Sequence, residues 1–216
     1  MKLNEPFVIT ISREIGSGGR TVGRKLAAKL GVRYSDKQLI DALKDKFNLT
    51  STGIEKLKGE KKNWLADFIQ FVAPVPKYNT LMDVDEKFAL EFRPDVTVKD
   101  VFEAEKEILN AIADEGSCVI AGRSGFFVLK DRPNKVDIFI TASREKRLMR
   151  VTWKQELSRQ EAESVIDSVD KARDNYVKRY TGLSRYDTRN YDLVINMDHL
   201  TEDEAVDLIL AYLGAK

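Results

Sequence analysis

A run of glycines near the start of the chain, Gly16-Ser17-Gly18-Gly19, has the composition of a loop that cradles an anion. It follows the apolar segment from Phe7 to Ile11 and precedes Arg20 and Thr21. Glycines keep the backbone N–H groups accessible, because a Cβ would block both the turn and the approach of phosphate oxygens. A helix that begins directly after the loop adds about half a positive charge there. The run therefore predicts phosphate binding; the alternative is an ordinary strand-to-helix turn, which needs only one glycine.

The loop differs from a regular Walker A motif, in which glycine, four residues, glycine, lysine and a hydroxyl residue follow one another. Gly19 stands at the lysine position, and Arg13 stands at the position of the opening glycine. Arg20 and Arg13 are the candidate catalytic cations in place of that lysine. Arginine binds phosphate bidentately, but its geometry is not interchangeable with that of lysine.

Apolar segments and helical periodicity predict the elements that position this loop. Strands alternate with helices, which predicts a parallel sheet with helices on both faces. The predicted strands are Phe7 to Ile11, Val32 to Tyr34, Cys118 to Ala121, Val136 to Ile140 and Asp192 to Ile195. The predicted helices are Thr21 to Leu30, Val101 to Ala113, Ser143 to Glu156, Gln160 to Tyr180 and Thr201 to Leu213, the last opened by a capping box of Thr201 and Glu204.

Charge and composition exclude some classes of function. Lys and Arg number 36 and Asp and Glu number 35, so the net charge of +1 disfavours a nucleic-acid partner. Cys118 is the single cysteine, and no apolar stretch approaches membrane length. We expect a cytoplasmic protein with no membrane partner. The lone His199 is expected on a surface loop rather than as a metal ligand, and the oligomeric state stays open.

The run Ile9-Thr10-Ile11-Ser12-Arg13-Glu14 leading into GSGGRTVGRKLA resembles the opening of the cytidylate kinase-like proteins. These are relatives of bacterial cytidylate kinase among the P-loop nucleoside monophosphate kinases. The resemblance extends through nearly the whole chain and weakens between about residues 45 and 115. It implies a three-layer α/β P-loop fold with about five parallel strands.

The resemblance also implies a division of the chain. Residues 1–37 and 111–216 would form the core, with a lid near 158–185. Residues 38–110, whose helical patterns are interrupted by prolines, would form a mostly helical insertion that binds the acceptor.

ATP and Mg²⁺ are the cofactors that the resemblance implies. The donor phosphates would lie on Gly16, Ser17, Gly18, Gly19, Arg20 and Thr21, and the Thr21 hydroxyl would help to hold Mg²⁺. Arg147 and Arg150, which share a helix face, match donor-binding positions; a solvated surface pair is the alternative.

Asp36 matches an aspartate at the end of the family's second strand, where it would act on the substrate or in catalysis, although it could simply cap the next helix. Arg123, in Gly122-Arg123, matches an arginine that grips the acceptor monophosphate. Arg173 and Arg179 are the candidate catalytic arginines of the lid, although their charged helix could simply be exposed.

Two functions follow from these residues. The first is a nucleoside monophosphate kinase that transfers the ATP γ-phosphoryl group to a small phosphorylated acceptor such as CMP or dCMP. The second is a nucleotide- or phosphate-binding module of the same fold that is catalytically weak or inactive, because the loop has no lysine. Loss of the cation on the transferred phosphoryl group would lower the rate by orders of magnitude.

Overall fold

The computed structural model describes residues 1–36, 98–122 and 124–214. Within these residues, five strands form one sheet in which every pairing is parallel, in the order β2-β3-β1-β4-β5. The strands are β1 (Val8–Arg13), β2 (Arg33–Ser35), β3 (Cys118–Ala121), β4 (Lys135–Thr141) and β5 (Leu193–Asn196). The predicted parallel sheet of about five strands is confirmed.

Six α-helices lie within the described residues. They are α1 (Gly19–Leu30), α2 (Val98–Asp114), α3 (Gly125–Val128), α4 (Arg144–Gln155), α5 (Arg159–Thr181) and α6 (Glu202–Leu213). A 3-10 turn, Thr188–Asn190, precedes β5. The Thr201–Glu204 capping box is present, with the Thr201 amide donating to the Glu204 carboxylate over 2.8 Å.

Alternate residues of the central strand face opposite layers of the molecule. Ile9 and Ile11 are fully buried in a core that includes residues of α1 and α6. Val8 belongs to a second core, built with residues of α2 and β3. A third apolar cluster joins α4 to α5 and includes Ile15 from the glycine loop. The three-layer fold therefore places the loop at the carboxyl end of β1, against the α4–α5 pair.

Two of the differences from the predicted elements have a clear local cause. Helix α1 begins at Gly19 rather than Thr21, because the left-handed backbone of Gly18 caps the helix two residues earlier. Helix α3, with only four residues, was not predicted, since one turn is too short to show helical periodicity.

Most of the predicted insertion, residues 38–110, lies outside the described residues. Its last part belongs to α2, where Leu109 and Ile112 are buried against the sheet. The boundaries of the insertion and the lid stay predictions. In the portion of the chain that the structure describes, no helix is long and apolar enough to cross a membrane.

Two neighbouring residues of α6 test the packing of this core. Ile209 is fully buried, whereas the adjacent Leu208 is 43% exposed. We expect Ile209→Ala to lower the free energy of unfolding by about 2–5 kcal/mol, because it removes a buried side chain and leaves a cavity. Leu208→Ala is the control and should change it by about 0.5 kcal/mol or less. Urea denaturation measures both; equal losses would contradict the assignment of α6 to the core.

Candidate phosphate-binding site

The glycine loop joins the end of β1 to the start of α1. Each of its three glycines is required, either by a left-handed backbone or by the lack of space for a Cβ. Gly16 and Gly18 have left-handed φ angles of +80° and +89°. A Cβ on Gly16 would lie 2.7 Å from the backbone oxygen of Arg147, which cannot move away easily. A Cβ on Gly19 would lie 2.6 Å from the Cβ of Arg13. The loop thus fits closely between α4 and the end of its own strand.

Several loop amides are available to a ligand. The backbone N–H groups of Gly16, Gly18 and Arg20 donate to no acceptor within residues 1–36, 98–122 and 124–214. They lie in or directly beside the first turn of α1, where the helix dipole adds positive potential. Available amides at a helix N-terminus are an arrangement that suits an anion, and anion binding by this loop stays a prediction.

Buried carboxylates hold the loop from behind. Asp170 of α5 accepts a hydrogen bond from the Ile15 amide at 3.1 Å, and its other oxygen lies 2.7 Å from the Arg147 guanidinium. The same nitrogen of Arg147 lies 2.8 Å from a Glu14 carboxylate oxygen. Burial raises the pKa of Asp170, against the opposing charges of nearby arginines. Arg147, a predicted donor-binding residue, is therefore placed where it supports the loop.

Arg150 lies along the loop. One of its guanidinium nitrogens donates to the Thr21 hydroxyl at 3.4 Å and lies 2.5 Å from a Glu202 carboxylate oxygen. Its Cζ is 3.4 Å from the position that a Cβ on Gly18 would take. The structure thus brings Arg150 together with the cradle, as its predicted role requires.

Arg13 and Arg20, the candidate substitutes for the missing lysine, both bind Asp36. Arg20 Nε donates to one carboxylate oxygen, and Arg13 Nη2 lies 3.5 Å from the other. Partial burial by itself lowers the pKa of Arg20, but the hydrogen bond and charge of Asp36 raise it overall. The Arg13 guanidinium also lies against Gly122 at the end of β3, so close that a Cβ there would clash. Both cations therefore face the ends of β2 and β3.

The remaining predicted arginines are placed differently. Arg123 lies outside the described residues. Arg173 Nη1 donates to the carbonyl oxygen of Arg13 at 3.3 Å, which brings it to the opening of the loop. Arg179 is exposed on α5. Arg185, which the sequence did not single out, donates to the same Arg13 carbonyl at 2.6 Å.

A cleft of about 490 Å³ adjoins the loop. Met149 and Trp153 of α4 line one side and are 65% and 76% exposed, which is unusual for large apolar side chains. Met197 and Leu200, which follow β5, also contribute to its lining. This cleft was not predicted from the sequence. The signal for it was the spacing of Met149 and Trp153, two large apolar residues that lie four apart in one predicted helix.

The protein oxygen atoms at the loop suit a magnesium ion that arrives already bound to the phosphates of a substrate. Mg²⁺ usually keeps several waters and binds phosphate oxygens with one or two protein oxygens. The Thr21 hydroxyl in the first turn of α1 is such an oxygen. Across the described residues no group of three or more histidine, cysteine or acidic side chains could enclose a metal by itself. His199 is exposed, as expected.

Residues 8–199 match the model of the cytidylate kinase-like family. The chain belongs to the cytidylate kinase-like family. A cytidylate kinase from Sulfurisphaera tokodaii is 26% identical over 209 residues, which cover 96% of each chain. The family supports a function of the nucleoside monophosphate kinase type.

Solved structures confirm the fold. An uncharacterised protein from Eubacterium ventriosum superimposes with a TM-score of 0.68 at 22% identity, over 97% of this chain and 99% of that one. A shikimate kinase from Bacteroides thetaiotaomicron gives 0.52 at 14% identity, over 96% and 98% of the two chains. Both structures share the three-layer arrangement described above.

Gly16→Ala tests whether the loop geometry is required for anion binding. Gly31, at the end of α1, is the matched control, because its φ is also left-handed at +65° but no atom lies within 4 Å of its Cβ position. Gly31→Ala should cost about 1–2 kcal/mol of stability and leave anion binding unchanged. Gly16→Ala adds the clash with α4, so we expect loss of inorganic tripolyphosphate binding by calorimetry. Equal tripolyphosphate affinities in the two variants would argue against the cradle.

Proposed function

We propose that this protein is a nucleoside monophosphate kinase that transfers the γ-phosphoryl group of ATP to CMP, dCMP or a similar small acceptor. The observation that carries the proposal is the position of the loop. Its available amides lie between an apolar cleft on one side and the Asp36-bound arginines on the other. A donor nucleotide and an acceptor phosphate can therefore meet at one point.

The donor side uses the loop and the cleft. The triphosphate would lie on the amides of Gly16 to Thr21, with Arg150 beside it. The base would enter the cleft and pack on Met149 and Trp153. An apolar cleft with a few polar groups at one end is the usual form of a nucleotide-sized site.

The acceptor side uses the cations at the ends of β2 and β3. Asp36 holds Arg13 and Arg20 there, and Arg123 follows directly after Gly122, against which Arg13 lies. These arginines would bind the acceptor phosphate, since guanidinium groups match phosphate oxygens bidentately. Asp36 would act by positioning them. Residues 38–110 would supply the contacts to the nucleoside.

Magnesium would enter with ATP and be held through the Thr21 hydroxyl. When bound, it neutralises charge on the phosphates during transfer. Lid residues Arg173 and Arg179 would add to that neutralisation, with Arg173 already at the opening of the loop.

The reaction needs no protein nucleophile. An ionised oxygen of the acceptor phosphate attacks the γ-phosphorus, the bond to the bridging oxygen breaks, and ADP leaves with the electron pair. The protein contributes positioning and charge stabilisation, which suffice for phosphoryl transfer. Cytidine as the acceptor base rests on the family and on the name of the relative from Sulfurisphaera tokodaii.

The second candidate is a nucleotide-binding module with weak or no transfer activity. It is favoured by Gly19 at the lysine position, and by the engagement of both Arg13 and Arg20 with Asp36. This candidate keeps the cradle and the cleft but assigns them to binding alone.

A turnover panel separates these two functions. Purified protein with ATP and Mg²⁺ is offered CMP, dCMP, UMP and AMP while ADP formation is followed. A kinase should turn over at least one acceptor at about 1 s⁻¹ or faster. Reactions without acceptor, and the Gly16→Ala variant, are the controls. ATP binding with no turnover above the acceptor-free rate for any substrate would reject the kinase and favour the binding module.

Trp153→Ala tests the base cleft. We expect the affinity for ATP to fall roughly fivefold or more, because stacking of a base on an aromatic ring contributes about 1–3 kcal/mol. Tripolyphosphate, which has no base, should bind as before. Tyr212→Ala removes an aromatic ring of α6 that is 50% exposed and does not line the cleft, so it serves as the control. Unchanged ATP affinity in calorimetry with Trp153→Ala would place the base elsewhere.

A further inference from the structure

Arg185 lies between α5 and β5 and is only 4% exposed. Its Nη2 donates to the carbonyl oxygen of Arg13 at 2.6 Å, and Arg173 Nη1 donates to the same oxygen at 3.3 Å. That carbonyl marks the point where β1 ends and the glycine loop begins. Two guanidinium groups from α5 and the segment after it therefore converge on the opening of the loop.

The other terminal nitrogen of Arg185, Nη1, is buried and has no hydrogen-bond partner among the described residues. A guanidinium group always carries its charge, and leaving one of its N–H groups buried without an acceptor is costly. The Asp170 carboxylate lies nearby, and the charge of Arg185 opposes the rise in its pKa that burial causes. No hydrogen bond joins the two groups: the oxygens of Asp170 bind the Ile15 amide and Arg147, and one of them lies 3.7 Å from Arg173. Nη1 of Arg185 is thus a buried cationic donor without an acceptor in the described part of the chain, as Nε of Arg147 also is.

The glycine loop lacks one cation that a regular Walker A loop has. In a regular Walker A loop a lysine side chain carries a cation to the β- and γ-phosphates, whereas Gly19 has no side chain to do so. Arg13 and Arg20 are held by Asp36, and Arg150 is paired with Glu202 along the other side of the loop. Among these arginines, Arg185 combines a fixed position at the loop opening with a buried donor that no described residue satisfies.

We propose that Arg185 supplies the cation that faces the terminal phosphates of the donor, in place of the lysine absent at position 19. The Arg13 carbonyl fixes one end of its guanidinium group, and Nη1 binds a phosphate oxygen. The Tyr186 ring, 5.4 Å from Arg185 Cζ, helps to hold the group in place. A preorganised cation stabilises the charge of the transition state without moving during the reaction. The proposal rests on donor binding at the loop, as proposed above.

The alternative is that Arg185 only ties its segment to β1. A purely structural residue would affect ligands through the stability of the fold and of the loop opening, and Arg185→Lys should relieve that effect because lysine can also donate to the Arg13 carbonyl. A residue that binds phosphate changes the affinity for a ligand with phosphate groups, such as tripolyphosphate, but not the affinity for adenosine, which has none. The informative quantity is therefore the affinity for inorganic tripolyphosphate relative to that for adenosine, together with kcat in the turnover panel.

Calorimetric titrations of the whole chain with tripolyphosphate and adenosine compare wild type, Arg185→Gln and Arg185→Lys. Arg33→Gln is the matched control, because Arg33 also donates to a backbone carbonyl, that of Ile112 at 2.8 Å, and pairs with Glu115 at the opposite end of the sheet. Arg185→Gln should weaken tripolyphosphate binding roughly tenfold to a hundredfold, the usual effect of losing a charged hydrogen bond. Adenosine affinity should change by about twofold or less, and Arg33→Gln should alter neither.

Arg185→Lys keeps the charge and decides the question if Arg185→Gln does not fold. A lysine cannot hold the carbonyl and a phosphate oxygen with the same rigid geometry, so we expect a lower kcat and an intermediate loss of tripolyphosphate affinity. The deciding quantity is the affinity for tripolyphosphate divided by the affinity for adenosine. If this ratio stays within about threefold of wild type in every variant that folds, the proposal is overturned, whereas donor binding at the loop is not affected. No tripolyphosphate binding by wild type would overturn both. Binding that depends on Arg185 without turnover would support this cation and reject the kinase.

Discussion

The amides of the glycine loop stay available to a ligand only because other groups hold the loop backbone in place. That support is a buried ion cluster in which Arg147 binds both Glu14 and Asp170, while Asp170 also accepts from the Ile15 amide. One partner comes from the loop, one from α4 and one from α5. Removing Arg147 would leave both carboxylates without the guanidinium group that they share, which is more costly than never having had the ion pairs. The cluster therefore joins the loop, α4 and α5 into one unit.

Helix α4 contacts the loop through Arg147 and Arg150, which lie nearly one turn apart on the same face of the helix. The first enters the buried cluster, and the second reaches Thr21 and Glu202 at the surface. The same helix presents Trp153 to the adjoining cleft. Support, charge and an apolar surface for a base thus come from a single element, whose position relative to the loop is fixed by the contact between Gly16 and the Arg147 backbone.

Much of the fold was predictable because its causes are local. Short apolar strands, a Gly-rich turn and the Thr201–Glu204 capping box each leave a pattern within a few residues. The position of the glycine loop between β1 and α1 was predictable for the same reason. Contacts between distant segments were not: the meeting of Arg185 with Arg13 joins residues 172 positions apart, and the pairing of Arg20 with Asp36 depends on where β2 ends. Helical spacing placed Arg147 and Arg150 on one face but could not show which of them would be buried.

The close packing of Arg13 against Gly19 has a consequence for how such a loop can change over evolutionary time. A regular Walker A loop has glycine and lysine at these two positions, and this chain has arginine and glycine. With Arg13 present, any side chain at position 19 begins with a Cβ only 2.6 Å from that of Arg13. Installing the lysine alone is therefore sterically blocked, and replacing Arg13 alone removes a cation without adding one. Conversion to the regular loop therefore has a fixed order, in which Arg13 is exchanged for glycine before a side chain can enter at position 19.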